Sequence, residues 1–333
     1  MGLWPSSETG TMGKISHALL YYILYGSCYL LSLIPLRGLY VVSDCLYYPL
    51  YYVVRYRRKV VRTNLTNSFP EKDISEIISI EKKFYSMLCD YFFEAIKLAS
   101  ISKKQVVKRM RFEGLERVNE LANDGRSAAF YLSHTFNWEW ITSFPMHIYN
   151  ENVVFGQIYH KLANKAFDRF FLFLRGRFGA ISINMPDTAR VMINYKREGR
   201  PTIIGFIADQ APKLSMIEHW HWVNFLNQDT AVITGTERVI KKLNCVAVFC
   251  SMTSTKRGYY TCKVERIIEE TADIPDFELT EMYYKYLEDN IRTNPSAWLW
   301  THKRWKRTRE SYERFKLEQE AAKQKRLENE NKK

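Results

Sequence analysis

Between Ala128 and Arg292 the chain switches repeatedly between short apolar runs of strand length and longer segments with helical spacing. That alternation leaves few folds open. The strand-like runs are Ala128–Ser133, Val153–Tyr159, Ala180–Ile183, Thr202–Ala208, Cys245–Ser251 and Tyr259–Ile267. Helical patterns separate most of them, at Trp138–His147, Leu162–Arg175, Asp187–Arg197 and Ala231–Leu243, and another covers Leu279–Arg292. The pattern predicts an α/β domain with a central, largely buried sheet flanked by helices. Upstream, Ile74 to Ala99 reads as one amphipathic helix. Its apolar residues Ile77, Ile80, Phe84, Leu88, Tyr91, Ala95 and Leu98 recur at three- and four-residue steps, and Pro70 with acidic residues precedes them.

The N-terminal part has a different texture. From Ile15 to Leu36 there are 22 residues without a formal charge. That is long enough to span a bilayer, and too long, with no small-residue cleavage site after it, for a signal peptide. Nine tyrosines fall between residues 21 and 53, as in segments that sit at the headgroup level. The segment therefore reads as a hydrophobic membrane segment, either spanning or lying in the interface. A buried helical hairpin is the competing reading. RYRRKVVR (Arg55–Arg62) follows it, so the positive-inside rule keeps the bulk of the chain cytoplasmic. The chain thus divides into residues 1–62, membrane segment and basic cluster; residues 63–306, the α/β domain; and residues 307–333, a charged helix or tail.

A net charge of +13 over 333 residues calls for an anionic partner: nucleic acid, acidic lipid or an acidic carrier. No nucleic-acid-reading module is recognisable, which disfavours the first. The six cysteines have no C-x-x-C spacing and no zinc-like cluster. HWHW (His219–Trp222) alternates like a metal pair but has no third ligand nearby, so it reads as an aromatic stretch along a groove. No metal or other cofactor is expected.

The stretch that could carry chemistry is YLSHTFNWEW, Tyr131–Trp140. His134 stands just past a strand, where α/β sheets collect ligands. Asn137 is a good N-cap, which puts Glu139 in the first turn of the next helix. A carboxylate there could hold the imidazole and stabilise the imidazolium, with His134 as general base and Glu139 as its partner. Ser133 points to the opposite strand face from His134, so a Ser-His pair is not expected. On these grounds alone a structural His134 stands level with a catalytic one.

HTFNWE has the form H-x4-D/E of the glycerolipid acyltransferases. Further blocks follow in order: YHKLANKAFDRFFLFLRGRFG (Tyr159–Gly179), GFIADQAP (Gly205–Pro212), FLNQDTAVITGTERVIKKLNCVAVF (Phe225–Phe249) and NPSAWLWTHKRWK (Asn294–Lys306). Together they resemble the late lipid A biosynthesis acyltransferases, the lauroyl and myristoyl transferases of Gram-negative bacteria. The resemblance extends from the N-terminal apolar segment to about Lys306. The Phe-Pro-Glu-Gly block of the glycerol-phosphate branch is missing, since FPEK at Phe69 lies upstream of the histidine.

The resemblance implies a glycerolipid-acyltransferase-like fold at the bacterial inner membrane. It implies transfer of a fatty acyl chain from acyl carrier protein to a hydroxyl of a lipid A precursor. Such a reaction needs a base for a weakly nucleophilic hydroxyl and a donor for the thioester oxyanion. Arg175 or Arg177 could be that donor or grip a phosphate, although RGR could simply end a helix. Asp209, at the end of its strand, faces the same cleft or serves as a turn residue. Lys303, Arg304 and Lys306 suit anionic headgroups, the acidic carrier or plain solvent. Two alternatives stay open: the same chemistry on a hydroxyacyl aminolipid or mannosylated phospholipid, and a non-catalytic basic protein on a membrane surface.

Overall fold

The alternation produces a seven-stranded sheet in the computed structural model, which describes residues 11–148 and 150–330. Nine strands form among these residues: β1 Met110–Glu113, β2 Ala128–Leu132, β3 Val154–Tyr159, β4 Ile181–Asn184, β5 Thr202–Ile207, β6 Trp220–Phe225, β7 Gln228–Ile233, β8 Val246–Lys256 and β9 Tyr259–Ile268. The large sheet runs β1-β9-β8-β2-β5-β3-β4. All its pairings are parallel except β8 with β9, whose two-residue connection allows only a hairpin. Each strand expected from the sequence forms within a few residues of its expected bounds.

Both sheet faces are covered, which is why the strands read as apolar runs rather than alternating ones. Phe130, Leu132, Phe155, Ile203 and Val248 pack with Trp140 and Phe144 on one face. On the other, Ala129, Tyr131, Ile204, Phe206 and Phe249 pack with Leu279, Tyr283, Tyr284 and Ile291 of the helix Glu278–Thr293. The expected amphipathic helix forms as Ile74–Lys97, capped by Asp73 and Glu76 in a reciprocal box.

The β6–β7 hairpin departs from the sequence pattern. The expected helix Ala231–Leu243 starts only at Gly235, because Gln228–Ile233 pairs with β6. The turn between them is Leu226-Asn227, both at positive φ, so it lacks the Asn-Gly signal of such turns. Leu226 tolerates this conformation because it is buried and its N–H donates to Glu288 Oε2 at 2.8 Å. The charged C-terminal segment forms the helix Arg309–Glu330. The first ten and the last three residues of the expected terminal segments lie outside the described residues.

The N-terminal apolar segment is a bent pair of helices. Thr11–Leu33 and Leu36–Tyr48 meet at Pro35, the second continuing as a π turn to Val54, with a bend of 112°. Among the described residues no single helix is long and apolar enough to cross a membrane. The second arm is tied to the helix Ile74–Lys97, with Ser43 donating to Asp90 at 2.6 Å and Tyr40 to Glu94 at 2.7 Å. Its other side is bare: Val41, Tyr48, Val53 and Val54 are exposed, as is Leu30 of the first arm.

Candidate active site

The strand order puts its switch point between β2 and β5. From β2 the chain crosses over β5 to β3; from β5 it returns past β2 to β8. In sheets of this kind the crevice beyond the carboxyl ends at such a point collects ligands. Leu132 and Ile207 are register partners at the two strand ends. Two residues further on each strand come His134 and Asp209, and they meet. The His134 backbone N–H donates to Asp209 Oδ2 at 2.8 Å, and His134 Nδ1 lies 2.6 Å from Asp209 Oδ1.

Asp209 is almost wholly buried, which by itself would raise its pKa. The His134 charge, its two hydrogen bonds and a third from Trp298 Nε1 at 2.8 Å outweigh that and lower it to about 2. An ionised Asp209 accepts from Nδ1–H, so whenever the ring holds a single proton Nδ1 carries it and Nε2 keeps its lone pair. The side chain of His134 is 18% exposed, enough for Nε2 to reach solvent or substrate. The exposed amide of Gln210, 3.4 Å from Nε2, is a long contact that a substrate hydroxyl can displace.

The surroundings hold both strand ends still. Tyr283 donates to the Leu132 carbonyl at 2.7 Å and Tyr284 to the Ala208 carbonyl at 2.9 Å. The loop after β2 is pinned by the segment around Trp298: Phe136 N–H donates to Ala297 O, and Leu299 N–H to His134 O. Trp138 stands edge-on to the His134 ring, centroids 5.0 Å apart, and stacks on Tyr91 at 4.1 Å.

His134 lines a cavity of about 880 Å³, within the roughly 300–1,000 Å³ of small-molecule sites. Phe112, Phe130, Phe144, Phe155 and Ile203 supply apolar wall from one sheet face and the segment above it. Gly205 keeps the floor low: a Cβ there would come within 3.0 Å of Leu132 Cδ1.

A family model described as bacterial lipid A biosynthesis acyltransferase matches residues 13–307. The chain belongs to this family. It is accordingly an acyltransferase acting in lipid A biosynthesis. No curated protein matches the chain.

Within this acyltransferase the expected pairing of His134 with Glu139 is replaced. Glu139 is buried on the 3₁₀ helix Trp138–His147 and accepts two hydrogen bonds from Arg175, from Nε at 2.8 Å and from Nη2 at 2.6 Å. Asn137 caps that helix as expected, accepting from Trp140 N–H. The H-x4-E spacing therefore does bring both residues to one cavity, but a short helix turns the carboxylate towards Arg175, on the helix Lys165–Gly176. Tyr91 OH is 3.4 Å from the same carboxylate. Arg175 lines the cavity, and its Nη1 is without a hydrogen-bond partner among the described residues.

Two other expected contacts lie elsewhere. Arg177 turns away from the cavity and donates to the carbonyls of Leu98 and Ile101, closing the end of the helix Ile74–Lys97. Arg304 is 1% exposed and donates to Ala231 O at 2.9 Å and to Tyr284 OH at 3.0 Å. It braces the tyrosine that holds β5 and cannot meet a headgroup. Lys303 and Lys306 are exposed. His219 and His221 serve different partners: His219 lies against Arg238, while His221 meets Glu281 at 2.9 Å and stacks on Phe277. Trp220 and Trp222 pack on Tyr312 of the C-terminal helix rather than lining the cavity.

Trp298, Tyr283 and Tyr284 carry no sequence signal that marks them singly as site residues. Trp298 stands in the NPSAWLW block, so a hint is present, but its target becomes visible only once β2 and β5 are known to be neighbours. Glu94 lies one layer further back. Fully buried, it accepts from Tyr40, Tyr260 and Asn137, and burial raises its pKa to about 7. The cap of the Glu139 helix thus rests on a carboxyl near its titration point.

Proposed function

We propose that this acyltransferase moves a fatty acyl chain from an acyl carrier protein thioester to a hydroxyl of a lipid A precursor, with His134 as general base. The observation that carries the reading is the His134–Asp209 pair, with Nε2 open to substrate, on the wall of a largely apolar cavity. The acceptor hydroxyl approaches Nε2 and gives up its proton there as its oxygen attacks the thioester carbonyl; the C–S bond then breaks, and the carrier sulfur takes that proton from the imidazolium and leaves as the thiol. Asp209 keeps the imidazole in the tautomer that accepts at Nε2 and stabilises the imidazolium that forms, as carboxylates do in hydrolase triads. A thioester is already activated, so no acyl-enzyme is required.

Arg175 is the natural oxyanion donor. Its guanidinium is fixed by Glu139 through two N–H groups and has another to offer. Glu139 then acts on the reaction through Arg175 and not through His134. The exposed apolar side of the bent N-terminal pair, followed by Arg55, Arg57 and Arg58, supports docking into the cytoplasmic leaflet of the inner membrane.

The test is acyl transfer in purified membranes, with labelled acyl carrier protein thioester and a lipid A precursor, beside the His134→Ala protein. Transfer by the wild type and not by the variant is expected. Equal transfer by both would remove His134 as the base. Wild-type transfer to an aminolipid acceptor, with none to the lipid A precursor, would overturn the acceptor assignment and leave the chemistry standing.

A further inference from the structure

One wall of the catalytic cavity is built from basic side chains that have found no carboxylate among the described residues. Lys213, Arg238, Lys242, His160 and His219 all line the cavity, on segments separate from its apolar floor. Two close contacts join four of them. Lys213 Nζ is 2.7 Å from His160 Nε2, and Arg238 Nη1 lies 2.7 Å and 3.0 Å from the two ring nitrogens of His219. The only acidic residue in the lining, among the described residues, is Glu139, which Arg175 already occupies.

Some surface bases elsewhere among the described residues take acids: Arg190 pairs with Asp187, Arg117 with Glu269 and Arg309 with Asp229. The contrast holds even within one helix, Gly235–Leu243. On one side Lys241 meets Asp276, and Glu237 accepts from Phe277 and Thr280. On the other, Arg238 and Lys242, one turn apart, face the cavity with no acid opposite among the described residues. Like charge gathered along one side of a cleft raises the local concentration of anions there.

We infer that this wall, centred on Arg238 and Lys213, is a phosphate-binding subsite that seats a phosphate ester of one of the two substrates while its reacting atom stands at His134. The chemistry is that of a phosphomonoester or diester: a guanidinium for bidentate contact and an ammonium as point charge. Of the residues expected to hold such a group, Arg177 and Arg304 are committed to backbone carbonyls and Arg175 to Glu139, while Lys303 and Lys306 are exposed and do not line the cavity. The phosphate can come from the lipid acceptor or from the phosphopantetheine arm of the donor. This assignment rests on the acyl-transfer reading for the source of the phosphate, but not for its binding.

The experiment uses the full-length protein and the Arg238→Ala, Lys213→Ala and doubly substituted variants, all at exposed positions. Pyrophosphate is titrated first, following tryptophan fluorescence. Binding by wild type and by His134→Ala, weakened about tenfold or more in the double variant at low salt, is expected. No binding, or equal binding by all proteins, overturns the subsite. Acyl transfer then distinguishes the source. A tenfold rise in KM for a phosphorylated disaccharide lipid, absent with its dephosphorylated form, assigns the subsite to the acceptor. A rise confined to the KM for the acyl carrier thioester assigns it to the donor. Unchanged KM for both, with kcat intact, overturns it as a substrate site. If wild type binds pyrophosphate through Arg238 yet acylates no lipid, the subsite stands and the acyl-transfer reading falls.

Discussion

Two buried carboxylates flank the cavity and do different work: Glu139 lines it, and Asp209 stands behind His134. Asp209 ends a strand of the central sheet; its position is set by the parallel register with β2, and three donors converge on it. Glu139 sits on a short 3₁₀ helix whose cap depends on Asn137 and, behind it, on Glu94. The first holds an imidazole in a chosen tautomer, the second a guanidinium in a chosen direction. Burial is nearly equal, so it is the partner, not the environment, that separates their roles. A carboxylate five residues from a histidine is close in sequence, but one on the neighbouring strand is closer in space.

The sharpest way to break the comparison is to neutralise each carboxylate without changing its shape. Asp209→Asn leaves the imidazole without an acceptor at Nδ1 and favours the wrong tautomer. Acyl transfer should fall by about 10³–10⁴-fold, close to His134→Ala, when kcat is measured at saturating donor. Glu139→Gln should cost less, about 10²-fold in kcat, because Arg175 is loosened but present. If Glu139→Gln matched His134→Ala while Asp209→Asn stayed active, the two assignments would have to be exchanged.

Glu94 separates the two regions by pH. Its folded-state pKa, raised by burial to about 7, lies above the ordinary 4.5. The stability this group contributes is therefore complete below pH 4.5 and is lost as pH rises through 7. Each pH unit between those two values is worth about 1.4 kcal/mol, so the loss is at most about 3 kcal/mol. Unfolding curves at pH 5, 7 and 9 should show wild type losing stability relative to Glu94→Gln over that range. Parallel behaviour of the two proteins would mean that Glu94 is not the titrating group.

How much of this is legible in the sequence depends on the range of the interaction. Six of the nine strands, the Ile74–Lys97 helix and the Asn137 cap follow from spacing and capping chemistry, which are local; the edge strand β1, Met110–Glu113, is only four residues long and has no such signal. His134 is legible as a strand-end residue and Asp209 as another, but their meeting requires the strand order. The β6–β7 hairpin is hidden because Leu226-Asn227 draws its positive φ from burial and Glu288, not from glycine. Arg304 looks like a headgroup ligand because a basic motif at a domain end reads as surface. Its burial depends on Ala231 and Tyr284, both distant in sequence. Arg304→Ala should accordingly cost about 2 kcal/mol of stability. Lys303→Ala, its exposed neighbour, should change stability by less than about 0.5 kcal/mol. Equal effects in thermal unfolding would contradict the burial of Arg304.

The central claim is that His134 works with Asp209, and a double-mutant cycle on kcat addresses it most directly. His134→Ala, Asp209→Asn and the double variant are compared, with a parallel cycle for His134 and Glu139. Groups that act as one unit lose nothing further once either is gone. The His134–Asp209 double variant should therefore be no slower than His134→Ala, while Glu139→Gln should slow the His134→Ala protein again by about the factor it costs the wild type. Additive losses for His134 with Asp209, together with a complete absence of additivity for His134 with Glu139, would contradict the account.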